Sequence, residues 1–177
     1  MIKVLDKSFR CYLSAADIAQ IVERLAAEIS RDLKDLNPII CPVLNGSFMF
    51  ATDLLRSLDF DPEISFVKFQ SYQGTQSSAT VKELVGFPES VTGRNVLIIE
   101  DIVETGHTMR QALSQLAKLH PASVRICAMV RKPQLLQADV KVDYVGKDID
   151  NEFIVGYGLD YNGYGRTYPD IYQLVEP

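Results

Sequence analysis

The sequence has no long apolar run, no excess of positive charge and no cluster of cysteines, and each absence removes a class of protein. No apolar stretch approaches the roughly 20 residues of a membrane-spanning helix. The first residues lack the charged-then-apolar layout of a signal peptide. Lys and Arg number 18 against 23 Asp and Glu, a net charge of -5. That balance argues against broad electrostatic binding to nucleic acid or to an anionic membrane, while a local basic patch stays open. Cys11, Cys41 and Cys127 are odd in number, unclustered and without metal-ligand spacing, so buried free thiols in a reducing cytoplasm are expected. No G-x-G-x-x-G string occurs, which removes the general dinucleotide-binding reading.

What is present is an ordinary soluble composition. The 177 residues are 47% hydrophobic and 23% charged, enough for one domain with a substantial core. Residues 10–13 read as a strand. Ser14 caps a helix with Asp17 placed for a capping box, and Ile18, Ile21, Val22, Leu25, Ile29 and Leu33 form its core stripe at helical spacing. Asn37-Pro38 ends that region, and residues 39–44 read as the first buried strand. It runs into Leu44-Asn45-Gly46-Ser47 and a helix to about Leu58. A strand, a glycine turn and a helix present backbone amides to a phosphate. Residues 64–69 alternate as a strand. Residues 70–83, QSYQGTQSSATVKE, are polar and small, and are either a surface loop or a lid over a reacting centre.

Residues 95–108, NVLIIEDIVETGHT, organise the rest. Residues 96–99 are an unbroken apolar run rich in β-branched residues, the pattern of a strand covered on both faces. The run ends in Glu100 and Asp101, and carboxylates at the end of a buried strand are costly unless something uses them. Glu104 follows, then Thr105, Gly106, His107 and Thr108. This is a phosphate-sized turn, with a glycine for close approach, hydroxyls, and the free N–H groups of a helix. The plain alternative is a charged turn before a capped helix. Met109, Ala112, Leu113, Leu116 and Ala117 give that helix its packing face, which ends near His120. Residues 124–130 form the next buried strand, ending in Arg131-Lys132-Pro133. Two apolar pieces, 142–145 and 153–156, precede GYGLDYNGYGRTYPDIYQL, whose glycines and tyrosines suggest packed turns near a ligand.

The string of four apolar residues, two acids, two apolar residues, an acid and Thr-Gly resembles the signature of the type I phosphoribosyltransferases, and nearly the whole chain is similar to the hypoxanthine-guanine phosphoribosyltransferases. The resemblance runs from Asn45 to Arg166 with the motifs in order. It implies an α/β fold with a central, mostly parallel sheet flanked by helices. It also implies a flap at about 70–83 carrying Ser71 and Tyr72, and a small hood from the N-terminal segment and about 145–177, all in one domain.

The implied activity is transfer of the phosphoribosyl group from phosphoribosyl pyrophosphate to a 6-oxopurine, giving IMP or GMP. Glu104 would be the general base, where the family usually has Asp. Glu100, Asp101, Glu104, Thr105, Gly106, His107 and Thr108 would hold the phosphoribosyl group, with His107 a phosphate contact ahead of a catalyst. Leu44, Asn45, Gly46 and Arg166 would hold pyrophosphate, and Asn45 stands where the family often has Lys. Lys132, Phe153, Ile154 and Asp160 would hold the purine. A solvated strand end is the alternative for Lys132, and core packing for Phe153. Glu100, Asp101 and Asp160 would hold Mg2+. The resemblance further implies a homodimer or homotetramer in the cytoplasm, with neither nucleic acid nor membrane as partner. A regulator that keeps the ligand-binding fold but acts on nucleic acid is the second reading. The acidic charge, the intact acidic residues and the pair of Lys132 and Asp160 speak against it.

Overall fold

The apolar run at 39–44 has no polar side to turn to water, and the chain builds outward from strands of that kind. The computed structural model describes residues 1–72 and 80–175, with side chains described outside 70–83. In chain order the elements are β1 (Ile2–Val4), β2 (Lys7–Leu13), α1 (Ala15–Leu33), β3 (Ile39–Leu44), α2 (Phe48–Ser57), β4 (Glu63–Ile64), β5 (Val67–Tyr72), β6 (Thr80–Val85), β7 (Asn95–Val103), α3 (His107–Ala117), β8 (Ser123–Arg131), β9 (Tyr144–Asp148), β10 (Ile154–Val155) and β11 (Ile171–Leu174).

The larger sheet has the order β6-β5-β3-β7-β8-β9, with β4 also paired to β3. All its pairings are parallel except β5 with β6. Successive residues of a strand point to opposite faces, and the burial follows. Ile40, Leu97, Ile99, Cys127 and Met129 pack with α1 and α2 on one face. Ile39, Cys41, Ile98, Ile126 and Ala128 pack with α3 on the other. This is the expected α/β fold, a mostly parallel sheet between helices. No described helix is long and apolar enough to cross a membrane.

A second, antiparallel sheet has the order β1-β2-β11-β10 and its own small core of Val4, Phe9 and Val155. Residues 145–148, expected in a hood, pair instead with β8 in the larger sheet.

Several local expectations hold. Ser14 and Asp17 close the capping box on α1, worth about 1 kcal/mol in comparable helices. β3 has the expected bounds. Other boundaries move. The strand expected at 10–13 is β2 and starts at Lys7, because Phe9 joins Leu13 as a buried residue between exposed Ser8 and Arg10. The 64–69 strand is two pieces, Glu63–Ile64 and Val67–Tyr72. Of residues 70–83, expected as a surface loop or a lid, 70–72 and 80–83 are strand, with Tyr72 paired to Thr80, and 73–79 lie outside the described residues. Ala117 is exposed although α3 buries Met109, Ala112 and Leu116.

Cys41 and Cys127 are buried free thiols, and desolvation pushes Cys41 up to about 12. Cys11 departs from the expectation and is exposed. It pairs with Tyr172 beside a register shift that interrupts regular alternation between β2 and β11.

Candidate active site

The C-terminal ends of β3 and β7 open into one cavity of about 410 Å³, the place where open α/β sheets bind ligands. Leu44, Gly46, Glu100, Asp101, Glu104, Thr105, Gly106, His107, Thr108, Asp160 and Arg166 line it. Phe69 from β5 lines it too, and the sequence had singled out no residue there.

The acids lie within β7 and do not follow it. Its ladder with β8 continues past them, pairing Ile102 with Val130 and Val103 with Arg131. The strand was expected to stop at Ile99. It continues because β8 offers partners as far as Arg131, which local composition does not reveal. Glu100 is therefore buried. Its Oε1 accepts from the Asp101 N–H at 3.1 Å, and Asp101 Oδ1 accepts from the Ile102 N–H at 2.8 Å. Burial raises Glu100 well above its ordinary 4.5, and the Asp101 charge raises it further. Burial also raises Asp101, opposed by hydrogen bonds from its neighbours and by the Arg166 charge. Burial thus opposes the charged form of both acids, and a further positive charge beside them would favour it.

After β7, Gly106 is the N-cap of α3 with φ 78, a left-handed conformation that glycine takes without strain. A Cβ there would also meet Leu136 Cδ1 at 2.9 Å. The Thr105 carbonyl accepts from the Gln137 and Ala138 N–H groups, both at 3.1 Å. The first N–H groups of α3 face the cavity end, where an anion is favoured. His107 Nδ1 accepts from the Arg110 guanidinium at 3.3 Å, so the ring has a partner on its own helix.

After β3, the turn is packed on both sides. The Leu44-Asn45 peptide is cis. A Cβ on Gly46 would lie 1.7 Å from Asp101 Oδ2, and a Cβ on Gly158 would lie 1.9 Å from the Gly46 carbonyl oxygen. The Ser47 hydroxyl donates to the Val43 carbonyl at 2.6 Å.

Lys132 follows β8, and only 4% of it is exposed. Its ammonium pairs with Glu104 Oε1. It is not a solvated strand end, and the two residues expected as base donor and general base touch one another. Arg166 donates to the Gly158 carbonyl at 2.7 Å and pairs with Asp160 Oδ1 at 2.7 Å. Asp160 Oδ2 accepts from the Gly163 N–H at 2.6 Å. Both Asp160 oxygens are thus engaged. Among the described residues no group of three or more His, Cys, Asp or Glu is arranged to hold a metal ion. The expected trio of Glu100, Asp101 and Asp160 is therefore reduced to the two strand acids, which fit a hard cation by being buried and adjacent.

Phe153 is 43% exposed, so it is not a core residue. Its ring lies edge-on to Tyr161 at 5.8 Å and borders a separate cavity of about 520 Å³ with Arg10, Glu152 and Gln173. Ile154 is buried and pairs with Gln173. Asn45 is not among the residues lining the first cavity. The side chains of Ser71 and Tyr72 lie outside the described residues. The sequence reading missed Gly158, whose contact with Gly46 joins segments far apart in the chain; the dense glycines around it were the one signal.

A family model described as the phosphoribosyl transferase domain matches residues 11–162. The hypoxanthine-guanine-xanthine phosphoribosyltransferase of Tritrichomonas foetus is 37% identical over 174 residues, 98% of this chain and 95% of that protein. The hypoxanthine-guanine phosphoribosyltransferase of Staphylococcus epidermidis is 40% identical over 164 residues, 92% of this chain and 91% of its own. Among solved structures, a hypoxanthine phosphoribosyltransferase from Staphylococcus aureus superposes with a TM-score of 0.89 at 35% identity, covering 97% of this chain and 93% of that one.

Proposed function

The chain belongs to the phosphoribosyltransferase family, and from that premise we propose that it transfers the 5-phosphoribosyl group of phosphoribosyl pyrophosphate to hypoxanthine or guanine. The products are IMP or GMP and pyrophosphate, the chemistry of purine salvage. The observation that carries the base class is the contact between Lys132 and Glu104 at the edge of the phosphate turn.

An ammonium only donates and a carboxylate only accepts. Side by side they complement the edge of a 6-oxopurine that carries an oxo group next to a ring N–H. The amino group of adenine would instead face Lys132 donor to donor. As the base bonds to the anomeric carbon, the bond from that carbon to pyrophosphate breaks, and the base loses a proton. Glu104 is the acceptor within reach. Its extra methylene relative to the family's usual Asp lets it meet Lys132 while remaining half exposed to the cavity.

The turn 105–108 holds the 5′-phosphate through N–H groups and hydroxyls, and Glu100 and Asp101 hold ribose hydroxyls. Arg166 and the Leu44-Asn45-Gly46 turn hold pyrophosphate, the latter through backbone N–H groups because Asn45 brings no charge. Glu100 and Asp101 are also the residues that would hold Mg2+, which when bound neutralises the leaving group. Phe153 supplies a ring face to the base, beside Ile154. Ser71 and Tyr72 belong to a flap that excludes water from the reacting carbon. A cytoplasmic homodimer or homotetramer goes with this reading.

The test is a base panel. Protein, phosphoribosyl pyrophosphate and Mg2+ are incubated separately with hypoxanthine, guanine, xanthine and adenine, and nucleotide formation is followed. Hypoxanthine and guanine are expected to give product and adenine none. The Tritrichomonas relative is named for xanthine as well, so xanthine turnover would widen the specificity within the same mechanism. No product from any base would overturn the reading.

A further inference from the structure

We infer that Tyr157 is a positioning residue for the pyrophosphate end of the site, acting through a hydrogen bond to Asp53 on α2. This rests on the phosphoribosyl-transfer reading above. The Tyr157 hydroxyl donates to Asp53 Oδ2 at 2.7 Å. The phenol is 4% exposed, and burial together with the Asp53 carboxylate raises its pKa, so it stays a donor throughout the working pH range.

The backbone of Tyr157 is in an unfavourable place for its residue type. Its φ is 49, between Gly156 at 97 and Gly158 at 100. A bulky side chain in the left-handed region is strained, and a third glycine would meet that turn more easily. The side chain is what the position requires. It spans from this turn to α2, the helix that begins just after Gly46.

The next residue explains why the span matters. Gly158 lies against the Gly46 carbonyl so closely that a Cβ would sit 1.9 Å from it. The Gly158 N–H donates to the Arg166 carbonyl at 2.9 Å, and the Gly158 carbonyl accepts from the Arg166 guanidinium at 2.7 Å. One residue thus touches both the turn and the arginine assigned to pyrophosphate, and Tyr157 ties it to α2. With the strut in place, the distance between Gly46 and Arg166 is set by the fold before any ligand arrives. Without it, the ligand has to order both, which weakens binding. The Lys132 and Glu104 pair, which selects the base, makes its contact without Tyr157 or Asp53.

The experiment is a set of steady-state measurements on the full chain with Tyr157→Phe, Asp53→Ala, Asp53→Asn and the double variant Tyr157→Phe/Asp53→Ala. Tyr157→Phe and Asp53→Ala are each expected to raise KM for phosphoribosyl pyrophosphate, and for pyrophosphate in the reverse reaction, by about three- to tenfold. KM for hypoxanthine at saturating co-substrate and kcat should move less than about twofold. The double variant should be no worse than either single one, the mark of one shared interaction. Asp53→Asn keeps an acceptor oxygen and should restore most of the affinity. A lowered melting temperature with both KM values unchanged would make the contact merely structural and overturn the inference. So would an equal rise in KM for the base. Should Tyr157→Phe fail to fold, the two Asp53 variants carry the same comparison. An inactive wild-type protein would instead sink the reaction assigned above, a result distinct from active variants with unaltered KM.

Discussion

Two turns of the same kind, strand then glycine then helix, meet different fates in this molecule. The turn after β3 is pressed between Asp101 and Gly158, with no space for a Cβ on either glycine of the contact. The turn after β7 has its glycine in a left-handed conformation and lines the cavity along its whole length from Glu104 to Thr108. The first is held by protein on both sides, and the second is held on one side and leaves donors for a ligand. A glycine in the first serves close approach between protein segments. A glycine in the second serves backbone direction. The packed turn can contribute position, and the open one can contribute chemistry as well.

That division predicts which kinetic constant each turn controls. Glu104→Gln keeps size and removes the base from the open turn, so kcat should fall roughly 10- to 1000-fold while phosphoribosyl pyrophosphate still binds; calorimetric binding alongside turnover checks both halves. Gly46→Ala forces the packed turn away from Asp101. Here the loss should appear in binding, with kcat/KM for phosphoribosyl pyrophosphate down on the order of 100-fold, and a loss confined to kcat would erase the distinction. Gly106→Ala should be milder. The left-handed φ costs about 1–2 kcal/mol with a side chain, and Leu136 Cδ1 is the end of a flexible side chain that can give way. A drop of about tenfold in kcat/KM is expected, with the melting temperature lowered by a few degrees.

The smallest effect is on stability and has a sign set by pH. Glu100 has a folded pKa raised above 4.5 by burial and by Asp101. Such a carboxyl favours the folded state while it is protonated, and that contribution fades as pH rises from its ordinary value through the raised one. The protein without Mg2+ should therefore lose stability from mildly acidic to alkaline pH. Glu100→Gln should flatten that slope and raise the melting temperature at pH 8, where about 1 kcal/mol corresponds to roughly 2–4 °C for a chain of this size. Thermal unfolding across pH, with and without Mg2+, measures it. A variant no more stable than wild type at pH 8 would mean that the acids are already compensated within the fold.

Local patterns carried much of this architecture. The capping box at Ser14 and Asp17 and the apolar run of β3 depend on neighbours within a few residues, and both appear where the sequence places them. The cavity could be assembled because its largest contribution, 100–108, is contiguous. What stayed hidden depends on strand order. β7 extends through its acids because β8 lies beside it. Lys132 meets Glu104 because adjacent parallel strands end at the same level. The engagement of Asp160 by Arg166 and the burial of Gly158 against Gly46 arise from a turn folding back on itself and across the sheet. Spacing in one segment has no information about such partners.

The small sheet joins β2 to β11, pairing residues made early in synthesis with residues made late. Arg166 and Asp160 lie between β10 and β11, so the half of the cavity they form waits for that last strand to dock. While the ribosome is still delivering this region, β2 has an unpaired edge and Phe9 lacks its cover. Such an edge is open to association with another chain. Completion of the cavity and removal of that hazard are consequently one event in the life of the chain, and a protein able to bind its phosphorylated substrate has already passed it.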